Sequence, residues 1–150
     1  MKKRILIIDN DEALNKINEK VLKAAGIVSE LHIVKNGLEA ISYLNARESR
    51  GYPLPEIIVL DLYLPVMNGF QFLDEFQKSD LPGKSEIEIV IFTSSSNPKD
   101  KQKIMSKGIR HYLNKPYILR GLTDVIYNLR TNAVNIYSNQ NSIGKLKGIV

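Results

Sequence analysis

Five short apolar runs punctuate this chain, and between them apolar residues recur every three or four positions. The first run is "RILII" (4–8), which stops at Asp9; Leu14, Ile17, Val21 and Leu22 then follow at helical spacing, with Gly26 as a stop. A weaker run, "LHIVK" (31–35), meets the turn pair Asn36-Gly37, and Leu38, Ile41 and Leu44 mark a second helix. "RESRGYPLP" (47–55) reads as a loop, leading to the continuous run Ile57-Ile58-Val59-Leu60 and then Asp61. "FQFLDEF" (70–76) predicts a third helix, "DLPGKS" (80–85) a loop and "IEIVIFT" (87–93) a fourth strand. Pro98 opens a short lysine-rich helix closed by Gly108, "HYLNKP" (111–116) supplies a fifth strand, and Leu119 to Leu129 give a last helix its apolar face.

Strands alternating with helices predict βαβ units around a parallel sheet. Five such units in about 130 residues imply an α/β, doubly wound, five-stranded parallel sheet of order 2-1-3-4-5. One domain, 1–131, accounts for these elements. The polar "SNQNS" (138–142) marks 132–150 as a C-terminal extension or frayed tail.

Composition narrows the chemistry. A chain of 150 residues with 43% hydrophobic and 25% charged residues is an ordinary globular domain, and the absence of cysteine removes disulfides, thiolate nucleophiles and Cys-based zinc sites. Two histidines, His32 and His111, are too few for a His-rich metal site. No apolar run suits a signal peptide or a membrane span, so a cytoplasmic protein with no membrane partner is expected. The net charge of +5 is uneven: residues 1–98 hold 11 Lys+Arg against 14 Asp+Glu, and 99–150 hold 10 against 2. The basic residues lack aromatic interleaving and a helix-turn-helix pattern, so nucleic acid is not expected as a partner.

In a sheet of this kind ligands bind outside the carboxyl ends of the strands, where the winding reverses. Four of the five runs end there in functional side chains: Asp9-Asn10-Asp11, Asp61, Thr93-Ser94 and Lys115. Clustered carboxylates repel unless a hard cation with oxygen ligands stands between them. Asp9 and Asp11 would equally serve as helix caps. Pro65 and Gly69 are backbone devices that turn the chain away after Asp61, leaving its carboxylate at the site. This constellation suits phosphoryl transfer to Asp61 better than hydrolysis of an external substrate.

"ILIIDNDE", "VLDLYLPVMNG", "IVIFTSSS" and "YLNKPY" resemble, in order and spacing, the four signature segments of response-regulator receiver domains of the CheY-like type. The resemblance covers about residues 3–130. It implies that Asp61 accepts a phosphoryl group from a sensor histidine kinase or phosphotransfer protein, with Mg²⁺ as cofactor. It further implies metal ligation by Asp9, Asn10, Asp61 and the Tyr63 carbonyl. Thr93 and Lys115 would hold the phosphoryl group, and Tyr112 would be the aromatic switch that turns inward as Thr93 moves. Lys115-Pro116 resembles the family's Lys-Pro pair. Asn10 departs from the pattern, because a second acid usually follows the first; weaker Mg²⁺ binding is expected.

The resemblance implies a phosphoacceptor with at most self-phosphorylation and autodephosphorylation chemistry. It also implies a switched surface, in the basic fourth and fifth helix region, for an unknown downstream protein or a second copy. The loops around Asp61 and Thr93 resemble those of stand-alone receivers found beside phytochrome-type kinases. A dehalogenase-type phosphatase would want a second acid where Tyr63 stands, and no GxxxxGK[ST] loop serves a nucleotide. A pseudo-receiver, a binding module that is never phosphorylated, is the alternative that Asn10 supports.

Overall fold

A computed structural model describes residues 2–115 and 120–131. Pro116 and the segment 132–150, singled out above, lie outside the described residues. Five parallel strands, β1 (Lys3–Ile8), β2 (Val28–Val34), β3 (Ile57–Leu60), β4 (Glu88–Thr93) and β5 (His111–Asn114), form one sheet of order β2-β1-β3-β4-β5. The helices are α1 (Glu12–Ala24), α2 (Gly37–Ser49), α3 (Gly69–Lys78), α4 (Pro98–Ser106) and α5 (Arg120–Thr131). This is the expected doubly wound α/β fold.

The central strands read as unbroken apolar runs because both faces of the sheet are covered. Alternate residues face opposite sides. Leu6, Ile8, Ile58, Leu60, Ile89 and Ile91 join Leu44, Phe72, Leu73 and Ile104 from α2, α3 and α4 in one core. Ile5, Ile7, Ile57, Val59, Val90 and Phe92 join Leu22 of α1 and Leu122, Val125 and Ile126 of α5 in the other. Each helix start is fixed locally. Asp11, Asn36, Asn68 and Asn97 accept the first free N–H groups of α1 to α4, and Asn68 and Gln71 form a reciprocal capping box.

Three expectations are corrected. The buried stripe of α1 is Asn15, Asn18 and Leu22, while Ile17 is 44% exposed. Leu14 packs against the same core as Leu22, so only Ile17 leaves the predicted face, and the Asn15 side-chain amide donates to the Asp9 carbonyl at 2.7 Å. β2 starts at Val28 rather than 31, and as an edge strand it tolerates the exposed Ser29 and Glu30. α2 continues through Arg47 to Ser49, where a loop was expected, since Arg47 is held by Glu30 on β2 and by the Tyr43 hydroxyl.

Candidate functional site at the carboxyl ends of the strands

The parallel register carries Asp9 and Asp61 to the same level at the carboxyl end of the sheet. Ile8 is level with Leu60, and the Asp61 N–H donates to the Ile8 carbonyl. Thr93 ends β4 level with Asn114, and the Lys115 N–H donates to the Thr93 carbonyl at 2.7 Å. Lys115 is thereby aimed back across β4 and β3. Its Nζ donates to Asp9 Oδ2 at 2.6 Å and to Asp61 Oδ2 at 3.1 Å. All three side chains are largely enclosed, at 14%, 3% and 10% exposed for Lys115, Asp9 and Asp61.

The remaining carboxylate oxygens are also engaged. Asp61 Oδ1 accepts the Leu62 N–H at 2.7 Å, and Asp9 Oδ1 accepts the Asp11 N–H at 2.9 Å. Burial pushes the Asp9 carboxyl above its ordinary pKa; Lys115 and the Asp11 N–H pull it down, and Asp61 adds to the rise. Burial opposes the charge on Lys115, but the two carboxylates outweigh it and hold its ammonium above the ordinary value. We read Lys115 as a cation at neutral pH, because two acceptors face one donor.

The turn after Asp61 is built on close approach. The Gly69 N–H donates to the Leu62 carbonyl at 2.8 Å, and a Cβ on Gly69 would stand 2.4 Å from the Asp61 carbonyl oxygen. Pro65 offers its carbonyl to the Met67 N–H at 2.7 Å, and Val66 between them has φ of 64°. A β-branched residue in the left-handed region is strained, and this one is also 77% exposed.

Asp9, Asp61 and Lys115 are brought into direct contact, and Thr93 closes the group at the next strand end, fully buried. Asn10 is exposed beside Asp9. Asp11 caps α1, its Oδ1 accepting the Leu14 N–H at 3.0 Å. Tyr112, the expected aromatic switch, is buried, at 7% exposed. Its Oη has no hydrogen-bond partner, and burial raises its pKa. Lys101 Nζ sits 5.8 Å from the Tyr112 ring and Lys103 Nζ 4.5 Å from the Phe70 ring, so both lysines lie against aromatic faces.

Two groups of residues were not legible in the sequence. Asn15 holds the Asp9 backbone from the buried face of α1, and its only signal was an amide inside an amphipathic helix. The Tyr63 hydroxyl and the Ser95 hydroxyl both donate to Asp100 Oδ2, each at 2.5 Å, which no local pattern announces.

The donor set fits a hard divalent ion. Two carboxylates already converge on one cation, the Lys115 ammonium, with the Asn10 amide and the Tyr63 carbonyl following them in the chain. No cluster of three or more His, Cys, Asp or Glu side chains suited to a metal occurs among the described residues. A concavity of about 540 Å³ among Lys3, Arg4, Leu54, Pro55 and Glu56 opens at the amino ends of β1 and β3, away from these carboxylates.

Comparison with known proteins identifies the family. The chain is 30% identical over 130 residues to response regulator Rcp1 of Synechocystis sp., covering 86% of this chain and 87% of that protein. A two-component response regulator structure from Cytophaga hutchinsonii superposes with a TM-score of 0.77 at 29% identity, covering 88% of this chain and 99% of that one. The Mn²⁺-bound form of Rcp1 superposes with a TM-score of 0.70 at 29% identity, over 86% and 92% of the two chains. Residues 5–127 match the response regulator receiver domain family, and the chain belongs to that family.

Proposed function

We propose that Asp61 is the phosphoacceptor of a two-component phosphorelay. The donor would be a phosphohistidine on a sensor histidine kinase or phosphotransfer protein. The observation that carries this reading is the bridging of Asp9 and Asp61 by one ammonium, with Thr93 buried at the neighbouring strand end. An Asp61 carboxylate oxygen bonds to phosphorus as the P–N bond breaks, and the imidazole keeps the electron pair and takes up a proton. A Mg²⁺ held by Asp9, Asn10, Asp61 and the Tyr63 carbonyl would supply positive charge to the transferring phosphoryl oxygens.

This chain's own residues then hold the product. Lys115 exchanges its contact with Asp61 Oδ2 for a phosphoryl oxygen while keeping Asp9. Thr93 Oγ1 donates to a second phosphoryl oxygen. The acyl phosphate carries roughly two negative charges where the carboxylate carried one, a net gain of about one charge at this strand end. One unit-charge pair at 4 Å is worth about 4 kcal/mol at an effective dielectric of 20, enough to bias a two-state arrangement after desolvation is subtracted. The responding surface is α4 and β5 with the adjoining α5; Lys101 of α4 lies over Tyr112 of β5, and Lys103 lies over Phe70 of α3 at its border. A downstream protein or a second copy docks there, and charge reversal at both lysines weakens that contact.

Residues 1–131 form the receiver unit in this reading, cytoplasmic and without nucleic-acid or membrane partners. No helix among the described residues is long and apolar enough to cross a membrane. The competing reading, a pseudo-receiver, draws on Asn10 and on a site whose two carboxylates Lys115 already neutralises in part. Incubation with acetyl phosphate and Mg²⁺ followed by intact mass separates them. The phosphoacceptor reading expects a metal-dependent gain of one phosphate that Asp61→Asn abolishes. No gain, from this donor or from a histidine kinase, selects the pseudo-receiver.

A further inference from the structure

The segment between β4 and α4 is tied down from several sides through one residue, Ser95. Its N–H donates to Thr93 Oγ1 at 3.3 Å, and its carbonyl accepts the Asn114 side-chain amide at 2.5 Å. Its hydroxyl donates to Asp100 Oδ2, in the first turn of α4. The same oxygen accepts the Tyr63 hydroxyl, which reaches over from the β3–α3 loop. Asp100 therefore clamps together the two loops that flank the Asp61–Thr93 pair. Both bonds are short and charge-assisted: the two hydroxyls hold the Asp100 carboxyl below its ordinary pKa, and Asp100 holds the Tyr63 phenol above its own.

The clamp stands at the enclosed nucleophile. The Asp61 side chain is only 10% exposed, and Thr93 is wholly buried. A phosphoryl group arriving at Asp61 brings three oxygens into a space bounded by the loops that Tyr63 and Ser95 belong to. Thr93 Oγ1, which accepts the Ser95 N–H, would shift towards the phosphoryl oxygen to which it donates, and that movement would draw Ser95 away from Asp100 and loosen the tie to Tyr63. Tyr63 is itself 59% exposed; its ring meets Phe70 edge-on at 6.3 Å, and its hydroxyl bond is the polar tie that carries it across the gap to α4.

We propose that Tyr63, Asp100 and Ser95 form a latch that keeps the β3–α3 and β4–α4 loops closed in the unmodified chain, and that phosphorylation of Asp61 competes with its closure. The competition rests on the phosphoacceptor reading; the latch itself does not. Its release passes the event at β3 to α4.

Two measurements test it on the full chain. The first is amide hydrogen exchange across 94–106 in unmodified wild type, Tyr63→Phe, Asp100→Asn and the double variant. Each single variant should speed exchange by about three- to tenfold, the net worth of one such bond, and the double variant should be no faster than the singles. Unchanged rates, or fully additive ones, overturn the latch. The second is the initial rate of phosphorylation by acetyl phosphate with Mg²⁺, by intact mass. Tyr63→Phe and Asp100→Asn should both gain by a similar factor, and phosphorylated wild type should exchange across 94–106 like the variants. Equal phosphorylation rates overturn the competition. Absence of phosphate in every form overturns the competition together with the phosphoacceptor reading, while exchange in the unmodified chain still decides the latch.

Discussion

Replacing Lys115 by methionine keeps most of the stem volume and removes one charge from between two enclosed carboxylates. The ammonium stands 2.6 Å from Asp9 Oδ2 and 3.1 Å from Asp61 Oδ2. At an effective dielectric of 20 these contacts are worth about 6 and about 5 kcal/mol in gross Coulomb terms. Desolvation of the ammonium cancels part of that sum. Removing one member of a buried charge pair is known to cost about 3–5 kcal/mol, because the other is left uncompensated. We therefore expect Lys115→Met to lose about 3–5 kcal/mol at neutral pH, or roughly 6–20 °C in melting temperature for a chain of this size.

The pH dependence gives the loss a signature. Asp9 already has its carboxyl raised by burial in wild type, and losing Lys115 raises it further. A raised folded-state pKa means a penalty that is absent below the unfolded value, near 3.9, and grows as pH rises through the folded one. The two proteins should therefore converge in stability near pH 4 and diverge towards neutrality. Divalent cation adds a second signature: with Lys115 gone the site carries about one more negative charge, so Mn²⁺ should bind the variant more tightly. At a hundred times its dissociation constant a ligand stabilises by about 2.7 kcal/mol. Urea denaturation at several pH values, with and without Mn²⁺, reads all of this. Equal midpoints at neutral pH, a loss independent of pH, or equal rescue of both proteins by Mn²⁺ would refute the reasoning.

Other substitutions probe single features. Val66→Gly should stabilise by up to about 1 kcal/mol through relief of the left-handed strain, less the glycine entropy cost, and a lowered urea midpoint would count against that strain. Tyr112→Phe deletes a buried hydroxyl without a partner and should be neutral or stabilising by about 1 kcal/mol; a clear loss by calorimetry would reveal a bond to that oxygen. Asn10→Asp should tighten Mg²⁺ binding by about tenfold at low ionic strength, read by isothermal titration, and equal affinities would remove Asn10 from the ligand set. Both histidines have their pKa lowered, by burial first, with Arg47 adding for His32 and Arg110 for His111. The unfolded chain therefore takes up protons first, and stability should fall as pH drops below about 6.5. His111→Gln should flatten that slope, and an unaltered slope would exclude His111 as a source.

The sheet was legible because each central strand is apolar on both faces, so its run stands out whatever its neighbours do. Asp9 and Asp61 stood out for a related reason, since a polar side chain directly after such a run marks the strand's carboxyl end; Thr93 closes the fourth run itself, and Lys115 stood out through its Lys-Pro pair. The full buried face of α1 was not. Counting Leu14, Ile17, Val21 and Leu22 gives one face, and Leu14 and Leu22 do pack on the core, yet Ile17 is exposed while Asn15, bonded to the Asp9 carbonyl, and Asn18 are buried. The extension of α2 to Ser49 rests on Arg47 meeting Glu30, seventeen residues away in sequence. Tyr63 meets Asp100 across thirty-seven, and such pairs leave no trace in local periodicity. Val66 was illegible for the opposite reason, since its backbone contradicts its own preference.

The ammonium that bridges the two carboxylates comes from the end of the last strand, 106 residues after Asp9 and 54 after Asp61. A polypeptide still being made holds both acids long before it holds their counter-charge. Until β5 has docked beside β4, nothing neutralises that pair and nothing aims a cation across it. On the phosphoacceptor reading, ribosome-bound and half-assembled copies would lack the ammonium that grips the product, so they should be poor substrates for phosphorylation.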